Sequence, residues 1–367
     1  MATFPTGIIT DTFSRLTTKT LLRFKRVSKS SSSLVHDPYF AKLHLHNSFK
    51  TNANVKLILD SRTEDDVYKT YLVDFDSLGN LEELSRPYSI ANFGVSSRIF
   101  GSCNGLLAVY HDEEGIALWN PSTRTCYHLP KLTIGGVFDM DYEIIVGFGY
   151  DATGNDYKVV QMSTSGKPVM IYSLKANSWR RIKDCPYQIS YHVTQDGAFA
   201  NGSLHWVGDE NDQHHNGSLI FGLDLVVEEF HRVPDESDVG NRNFGYRSVG
   251  VEYGVKESWS EVASVSREEW WLQGIFYTRV IAFSKTGDRL LLEDGARPRQ
   301  PAWFSLEKKQ ELLDIPGTRS LCCNDLHRKP CFSASNSSLI GVCKLTVTGV
   351  TVIFYKLFNR TVKIKWF

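Results

Sequence analysis

The spacing of apolar side chains changes along this chain, from a helical period near the N-terminus to short strand-like runs further on. Thr18 and Ser28 are candidate N-caps, because a hydroxyl can accept a hydrogen bond from the backbone of the next turn. The third helix should end before Pro38, since the residue before proline avoids the helical region. We therefore predict three short helices before about His46. Their apolar positions recur near the helical period: Ile8, Ile9, Phe13, Leu16, Leu21, Phe24 and Val27.

From about Val55 onward, strand-like runs alternate with turn signals, and one hairpin plan recurs. Each copy has an apolar strand, a polar turn and a second strand, and an Asn-Gly pair opens a further hairpin before two of them. Two hairpins in series make a four-stranded blade. The pattern predicts a mainly β domain, an irregular β-propeller, with a twisted β-sandwich as the alternative. The copies are Ile116 to Pro130, Met170 to Ile182, Ile220 to Pro234 and Ala302 to Pro316, and the Asn-Gly pairs are Asn104-Gly105 and Asn201-Gly202.

Composition narrows the class of protein. Aromatic residues make up 12% of the 367 residues, which favours strands. The formal net charge is zero, which argues against a nucleic-acid partner. We expect no membrane partner, because no apolar stretch approaches the roughly 20 residues that span a bilayer. The 7 scattered cysteines and the lack of a secretion signal predict reduced thiols in the cytoplasm, the nucleus or both.

The N-terminal residues resemble the F-box of plant F-box proteins. The resemblance runs through Phe4-Pro5, Ile8-Ile9, Arg15 to Lys29 and Asp37 to His44. It implies docking on a Skp-type adaptor, and through that adaptor on a cullin scaffold. It also implies an adaptor-facing apolar surface, formed by Pro5, Ile8, Ile9, Leu16, Leu21, Leu22 and Val27.

The chain departs from the F-box pattern at several positions. Phe4 stands where the family has leucine, Thr17 where it has proline, and Ser31 and Ser32 where it has tryptophan and arginine. Loss of a buried tryptophan typically costs about 3–5 kcal/mol if nothing refills the space. A second hypothesis is therefore a binding scaffold whose F-box no longer docks.

The strand-rich part resembles the kelch-like F-box-associated domain of the same family, including its immune-regulating and pollen self-incompatibility members. This predicts an F-box domain over residues 1–46, a propeller-like domain over 47–344, and a divergent tail over 345–367 with closing strands as one option. The segments that carry the resemblance are Gly101 to Leu106, Leu118 to Thr123, Gly147 to Asp151, Asp156 to Val160, Tyr253 to Trp259 and Leu290 to Glu293.

Signals of catalysis are weak. The thiols and imidazole of Cys322, Cys323, His327 and Cys331 lack the paired spacing of zinc sites, so we predict no metal and no cofactor. The adjacent carboxylates of Glu268-Glu269 would point to opposite faces of a strand, which disfavours a glycosidase, the third hypothesis. The resemblance instead implies a non-catalytic, substrate-recognition subunit of an SCF-type ubiquitin ligase that recruits an unidentified target protein for degradation.

Overall fold

The structure of the protein is a computed structural model. The helices come first in the chain, and the strands follow them. The structure describes residues 5–51, 56–62, 68–74, 77–85, 98–111, 114–132, 144–189, 196–209, 219–233, 246–250, 259–264, 279–283, 289–293, 301–305, 310–314 and 344–348.

The N-terminal helices are α1 (Thr6–Ser14), α2 (Thr18–Phe24), α3 (Lys29–His36) and α4 (Pro38–Thr51). The Ser28 cap is confirmed, because its hydroxyl accepts the backbone N–H of Ser31 at 3.1 Å. The Thr18 cap was wrong by one position. Thr17 has the extended backbone of a cap and accepts the backbone N–H of Thr20 at 3.3 Å, whereas Thr18 is already helical.

The helix α4 was not expected from the apolar pattern, and it runs past residue 46, where the first domain was expected to end. The signal for this helix was present in the Asp37-Pro38 pair. The carboxylate of Asp37 accepts the backbone N–H of Tyr39 at 2.9 Å, and proline is favoured at the first helical position. Pro38 therefore separates two helices by starting the second one.

The inner face of α4 holds the helices together partly through polar groups. Phe40 is buried, while His44 Nε2 lies 2.8 Å from the carbonyl oxygen of Leu16. Asn47 Nδ2 donates to the hydroxyl of the buried Ser14 at 2.8 Å. Because His44 and Asn47 occupy inward positions, the apolar period that predicts a helix is broken here.

Apart from one parallel pair, the strands pair antiparallel, mostly in chain order, and form successive blade-like sheets, as the propeller prediction requires. The strands are β1 (Lys56–Arg62), β2 (Tyr68–Asp74), β3 (Ser77–Leu84), β4 (Arg98–Cys103), β5 (Leu106–His111), β6 (Gly115–Asn120), β7 (Thr125–His128), β8 (Ile144–Asp151), β9 (Asp156–Ser163), β10 (Val169–Ser173), β11 (Ser178–Arg181), β12 (Gln188–Ile189), β13 (Asp196–Ala200), β14 (Ser203–Asp209), β15 (Leu219–Asp224), β16 (Phe230–Val233), β17 (Tyr246–Gly250), β18 (Trp259–Ser264), β19 (Arg279–Phe283), β20 (Arg289–Glu293), β21 (Pro301–Ser305), β22 (Gln310–Asp314) and β23 (Lys344–Thr348). Four-stranded units are β4–β7, β8–β11, β13–β16 and β19–β22, while β17 pairs with β18 and the short β12 adds to β14.

The sheet that contains β1, β2 and β3 is completed by β23, which comes from near the other end of the chain. The register places Lys56 opposite Thr348 and Asp60 opposite Lys344. A strand from the C-terminal part thus joins the first blade, and this pairing closes the ring of sheets at the start of the region expected as a divergent tail. Residues 349–367 lie outside the described part.

All four predicted hairpins are present as the outer strand pairs of their blades: β6–β7, β10–β11, β15–β16 and β21–β22. The two Asn-Gly turns are also confirmed, between β4 and β5 and between β13 and β14. Asn104 and Gly105 have φ of 51° and 82°, and Asn201 and Gly202 have φ of 51° and 76°. This backbone conformation is the one that such tight turns require.

Neighbouring blades meet along their first strands, where glycine allows close approach. β8 and β13 pair in parallel, with Gly147 opposite Gly197. A Cβ atom added to Gly197 would lie 2.6 Å from the Trp206 ring, closer than two carbon atoms can pack. The two blades therefore share one apolar core, which includes the fully buried Trp206 and Phe221. In the described part of the chain, no helix is long and apolar enough to cross a membrane.

Candidate docking surface on the helices

The helices leave several large apolar side chains in contact with solvent. The exposed fractions are 57% for Ile8, 37% for Phe24, 71% for Val27 and 72% for Tyr39. Exposed apolar groups of this size, clustered within so short a segment, mark a surface for contact with another molecule. We call these four side chains the apolar surface of the helices.

The residues that the resemblance assigned to the adaptor-facing surface differ in how much of each side chain is exposed to solvent. Pro5, Ile8 and Val27 are exposed. Ile9, Leu16 and Leu22 are partly buried, so each presents only part of its surface to solvent.

Leu21 is a core residue of the helices, with 4% of its surface exposed, so it presents almost no surface to a partner, and its assignment to the adaptor-facing surface stays a prediction. The apolar pattern could not distinguish it from Leu22, because adjacent helical residues differ by about 100° in direction. Only the packing of the helices decides which of the two leucines points inward.

Sequence reasoning missed Phe24 and Tyr39 as surface residues. Phe24 had been placed on the apolar stripe of α2, but it lies at the end of that helix, where one ring face packs on Phe13 with centroids 5.1 Å apart. Tyr39 follows Pro38 in the first turn of α4 and points to solvent. Since α4 was not predicted, nothing in the sequence pattern indicated where Tyr39 would point.

The helical segment is strongly basic although the whole chain is neutral. Residues 5–51 contain eight Lys and Arg residues and only two acidic residues, Asp11 and Asp37. Asp11 pairs with Arg15 at 3.0 Å, and Lys19 reaches Glu82 on β3 at 3.4 Å. The apolar surface thus belongs to a segment with an excess of positive charge, which favours a partner with acidic groups around its own apolar site.

Among the described propeller residues, two of the exposed large apolar side chains are adjacent in the chain. Val226 and Val227, 43% and 63% exposed, form the tip of the turn between β15 and β16. The carboxylate of Asp224 fixes this turn by accepting the backbone N–H groups of both valines, at 2.7 and 3.0 Å. This turn gives a comparison surface of similar chemistry outside the helices.

A buried ionic network joins the third and fourth blades beside that turn. Lys158 Nζ lies 3.0 Å from both Asp151 Oδ2 and Glu228 Oε1, and donates to the carbonyl oxygen of Leu225 at 2.5 Å. Arg180 forms a further ion pair with Glu228. Asp151, Lys158 and Arg180 belong to one blade and Glu228 to the next, so the network fixes the position of one blade relative to the other.

In this network, burial and the hydrogen-bonding and ion-pair partners of each group shift its pKa in opposite directions, and the effect of the partners is the larger one. Burial alone would lower the pKa of Lys158, but hydrogen bonds to Glu228 and Asp151 raise it above the ordinary value. Burial would raise the pKa of the Asp151 carboxyl, but the Gly154 backbone N–H and Lys158 lower it. Burial would likewise raise the pKa of Glu228, but Arg180 and Lys158 lower it. Lys158, Asp151 and Glu228 are therefore charged near neutral pH, and the network has a structural role.

Comparison with known proteins agrees with this division into helices and propeller. A family model for the F-box associated beta propeller domain matches residues 52–267, and a model for the F-box domain matches residues 3–43. Because the first model covers more than half of the chain, the protein belongs to the F-box proteins with an F-box-associated propeller domain.

Individual relatives belong to the same class. The chain is 31% identical to the F-box protein CPR1 of Arabidopsis thaliana, over 87% of each chain. It is 27% identical to the F-box protein At4g22390 of the same plant, over 84% of this chain and 85% of that one. It is also 27% identical to the Arabidopsis F-box/kelch-repeat protein At3g23880, over 63% and 65%.

Two of the chemical motifs considered in the sequence lie outside the described residues. These are the cysteine and histidine group at Cys322, Cys323, His327 and Cys331, and the Glu268-Glu269 pair.

Proposed function

We propose that this protein is the substrate-recognition subunit of an SCF-type ubiquitin ligase. Its helices dock on a Skp-type adaptor, which connects the chain to a cullin scaffold, and its propeller holds a target protein for ubiquitination. The chain then accelerates ubiquitin transfer by proximity and contributes no catalytic group of its own.

The apolar surface of the helices is the observation that carries this proposal. Ile8, Val27 and Tyr39 remain more than half exposed in the free chain, although the same segment buries Leu21 and Phe40. Each such side chain contributes about 1.5–3 kcal/mol when a partner covers it fully. The F-box match over residues 3–43 supports a Skp-type adaptor as that partner.

The substituted positions of the F-box do not disrupt the helices. Ser28 and Thr17 act as helix caps, and Ser31 supplies the backbone N–H that Ser28 binds. The serines thus give α3 a defined start without the tryptophan that the family has in this helix. This favours a docking F-box over the scaffold hypothesis.

The direct test is binding of the purified full chain to a recombinant Skp-type adaptor, measured by calorimetry. Val27→Asp should weaken binding at least about tenfold, since 1.4 kcal/mol corresponds to a factor of ten. Ile8→Asp should do the same without unfolding α1, because acidic residues are favoured in the first turn of a helix. Val227→Asp is the matched control, an exposed valine on the propeller, and should bind like the unsubstituted chain.

Two results would reject the adaptor role. One is absence of binding by the unsubstituted chain, and the other is equal affinity of the Val27→Asp and Val227→Asp variants. The target itself can be sought by purifying the chain from plant cells treated with a proteasome inhibitor. The same target proteins should co-purify with the Val27→Asp variant even without the inhibitor. That variant keeps its propeller but no longer docks on the ligase, so the proteins that it binds should not be degraded.

A further inference from the structure

The connection between α2 and α3 combines an exposed serine with a concentration of positive charge. Ser28 is preceded by basic residues two, three and five positions earlier, and Lys29 follows it. Among the described residues, no acidic side chain forms an ion pair with these basic residues, which are Arg23, Lys25, Arg26 and Lys29.

The backbone around Ser28 is accessible and not helical. Ser28 is exposed and has φ −153° and ψ 158°, an extended conformation between the turn at residues 25–27 and the start of α3. Its hydroxyl lies 3.0 and 2.8 Å from the hydroxyls of Ser30 and Ser31. Ser30 and Ser31 lie within α3, where a helical backbone hinders entry into an extended enzyme groove.

We propose that Ser28 is a phosphorylation site for a protein kinase with an acidic substrate groove, and that phosphate at this position weakens docking of the adaptor. The second half of this inference rests on the proposed function. An acidic groove fits the charge pattern of this segment, because acidic groups of the kinase attract the basic residues that precede the target serine.

The reaction is an ordinary phosphoryl transfer from magnesium-bound ATP. The Ser28 oxygen attacks the γ-phosphorus, the new Oγ–P bond forms, and the bond from that phosphorus to the β,γ-bridging oxygen breaks. ADP leaves, and a carboxylate of the kinase takes the hydroxyl proton. The chain supplies only the hydroxyl and the basic residues that place it.

Phosphate at Ser28 would leave α3 intact while changing the surface next to it. Its oxygens can still accept the Ser31 N–H, and a dianion at the start of a helix beside Lys25, Arg26 and Lys29 is favourable. Val27, the neighbouring residue, is 71% exposed and belongs to the apolar surface of the helices. Docking there would then have to remove water from a doubly charged group, which opposes binding.

The site assignment is tested by treating the full chain with MgATP and the catalytic domain of a kinase that prefers arginine shortly before serine. Mass spectrometry should place one phosphate on Ser28, and Arg26→Ala should slow its addition at least about tenfold. Ser30→Ala should have no effect. No phosphate, or phosphate on Ser30 or Ser31 instead of Ser28, would overturn the assignment.

The effect on docking is measured by calorimetry with the Skp-type adaptor, before and after kinase treatment. The phosphorylated chain should bind at least about tenfold more weakly. Ser28→Asn is the matched control, because asparagine also caps a helix but cannot be phosphorylated, so kinase treatment should not change its affinity. Equal affinity of treated and untreated chain would overturn the regulation. Failure of the untreated chain to bind would instead reject the proposed function, and phosphate mapping alone would then decide the site.

Discussion

The helices and the propeller differ in how far they bury their large apolar side chains. In the described part of the propeller, two tryptophans are almost completely buried, Trp119 at 1% and Trp206 at 2% exposure. The helices bury Leu21 and Phe40 but leave Val27 and Tyr39 more than two-thirds exposed. A segment of this length has too little volume to cover both sides of its helices, whereas a ring of sheets covers each blade with the next. The difference supports the proposal that another protein covers the exposed side chains of the helices.

The two regions also differ in how they place charge. The propeller holds Lys158, Asp151 and Glu228 inside a buried and balanced network, which gives one blade a fixed position on the next. The helices carry an excess of positive charge, and most of it has no ion-pair partner among the residues that the structure describes. Charge is therefore structural in the propeller and available for recognition in the helices. The two regions can be studied separately, because all eight tryptophans lie at or after residue 119 and their fluorescence reports on the propeller.

The largest effect is expected from Lys158→Met. This substitution leaves the Asp151 carboxylate buried without its cation, and removing one partner of a buried pair typically costs about 3–5 kcal/mol. Urea unfolding followed by tryptophan fluorescence should show the loss. Arg181→Met is the control, because Arg181 forms an exposed pair with Asp184 and its loss should change stability little. Equal midpoints for the two variants would contradict a structural role for the network.

A somewhat smaller effect is expected in the helices from Leu21→Ala. Its cost should be about 2–3 kcal/mol, the lower end of the usual range for leucine, because a small helical unit can relax around the cavity. Circular dichroism at the helical band should show earlier thermal unfolding, while tryptophan fluorescence stays unchanged. Val27→Ala, at an exposed position of the same helices, should leave both signals unchanged. A tryptophan signal that shifts with Leu21→Ala would show that the two regions unfold as one.

The pH dependence of the propeller should follow the buried network. The pKa values of Asp151 and Glu228 are lowered in the folded chain, so their stabilisation is present above the ordinary carboxyl pKa and is lost as pH falls through the folded pKa. The pKa of Lys158 is raised, so its contribution is present below its ordinary pKa of 10.5 and is lost as pH rises through the folded value. Fluorescence-detected melting should therefore decline at both extremes of pH. Lys158→Met should flatten the alkaline decline, and an unchanged decline would point to other groups.

The caps of the helices should have an effect of about 1 kcal/mol each. Ser28→Ala removes the acceptor of the Ser31 N–H and should lower helical stability by that amount. Ser28→Asn should restore most of it. Ser33→Ala, at an exposed position further along α3, should be close to neutral. If Ser28→Ala melts like Ser33→Ala, the cap does not stabilise α3.

The smallest effect is expected at the ion pair between the two regions. Lys19 and Glu82 are 70% and 60% exposed and 3.4 Å apart, and such surface pairs contribute roughly 0–1 kcal/mol. Lys19→Met should leave helical melting and fluorescence within error of the unsubstituted chain. A loss above about 1 kcal/mol in either signal would show that the helices depend on the propeller for stability.

The propeller was more predictable from the sequence than the helices. Asn104-Gly105 and Asn201-Gly202 mark tight turns by their backbone preference alone, so the hairpins could be located without knowledge of their packing. The pairing of β23 with β1 could not be located, because strands so far apart in the chain carry no local signal of their pairing. The ionic network was missed for the same reason, since Glu228 and Lys158 meet only when two blades pack.

For the helices, the sequence indicated an apolar docking surface but did not identify all of the residues that form it. The F-box resemblance located the segment, and Ser28 was correctly identified as a cap from its side-chain chemistry. The sequence could not show which of Leu21 and Leu22 is buried, because both are equally apolar and only the packing of the helices orients them. It also missed α4, whose inner face uses His44 and Asn47 in place of apolar residues.

Local chemistry, read from the sequence by itself, determined the Ser28 cap, the tight turns, the repeated hairpins and the family. These depend on residues a few positions apart, whose backbone preferences act before any tertiary contact forms. Tertiary structure alone decided which leucine is buried, which strand closes the ring, and which charges meet between blades. Those outcomes depend on groups that are distant in sequence, and their energies exist only once the chain has brought the groups together.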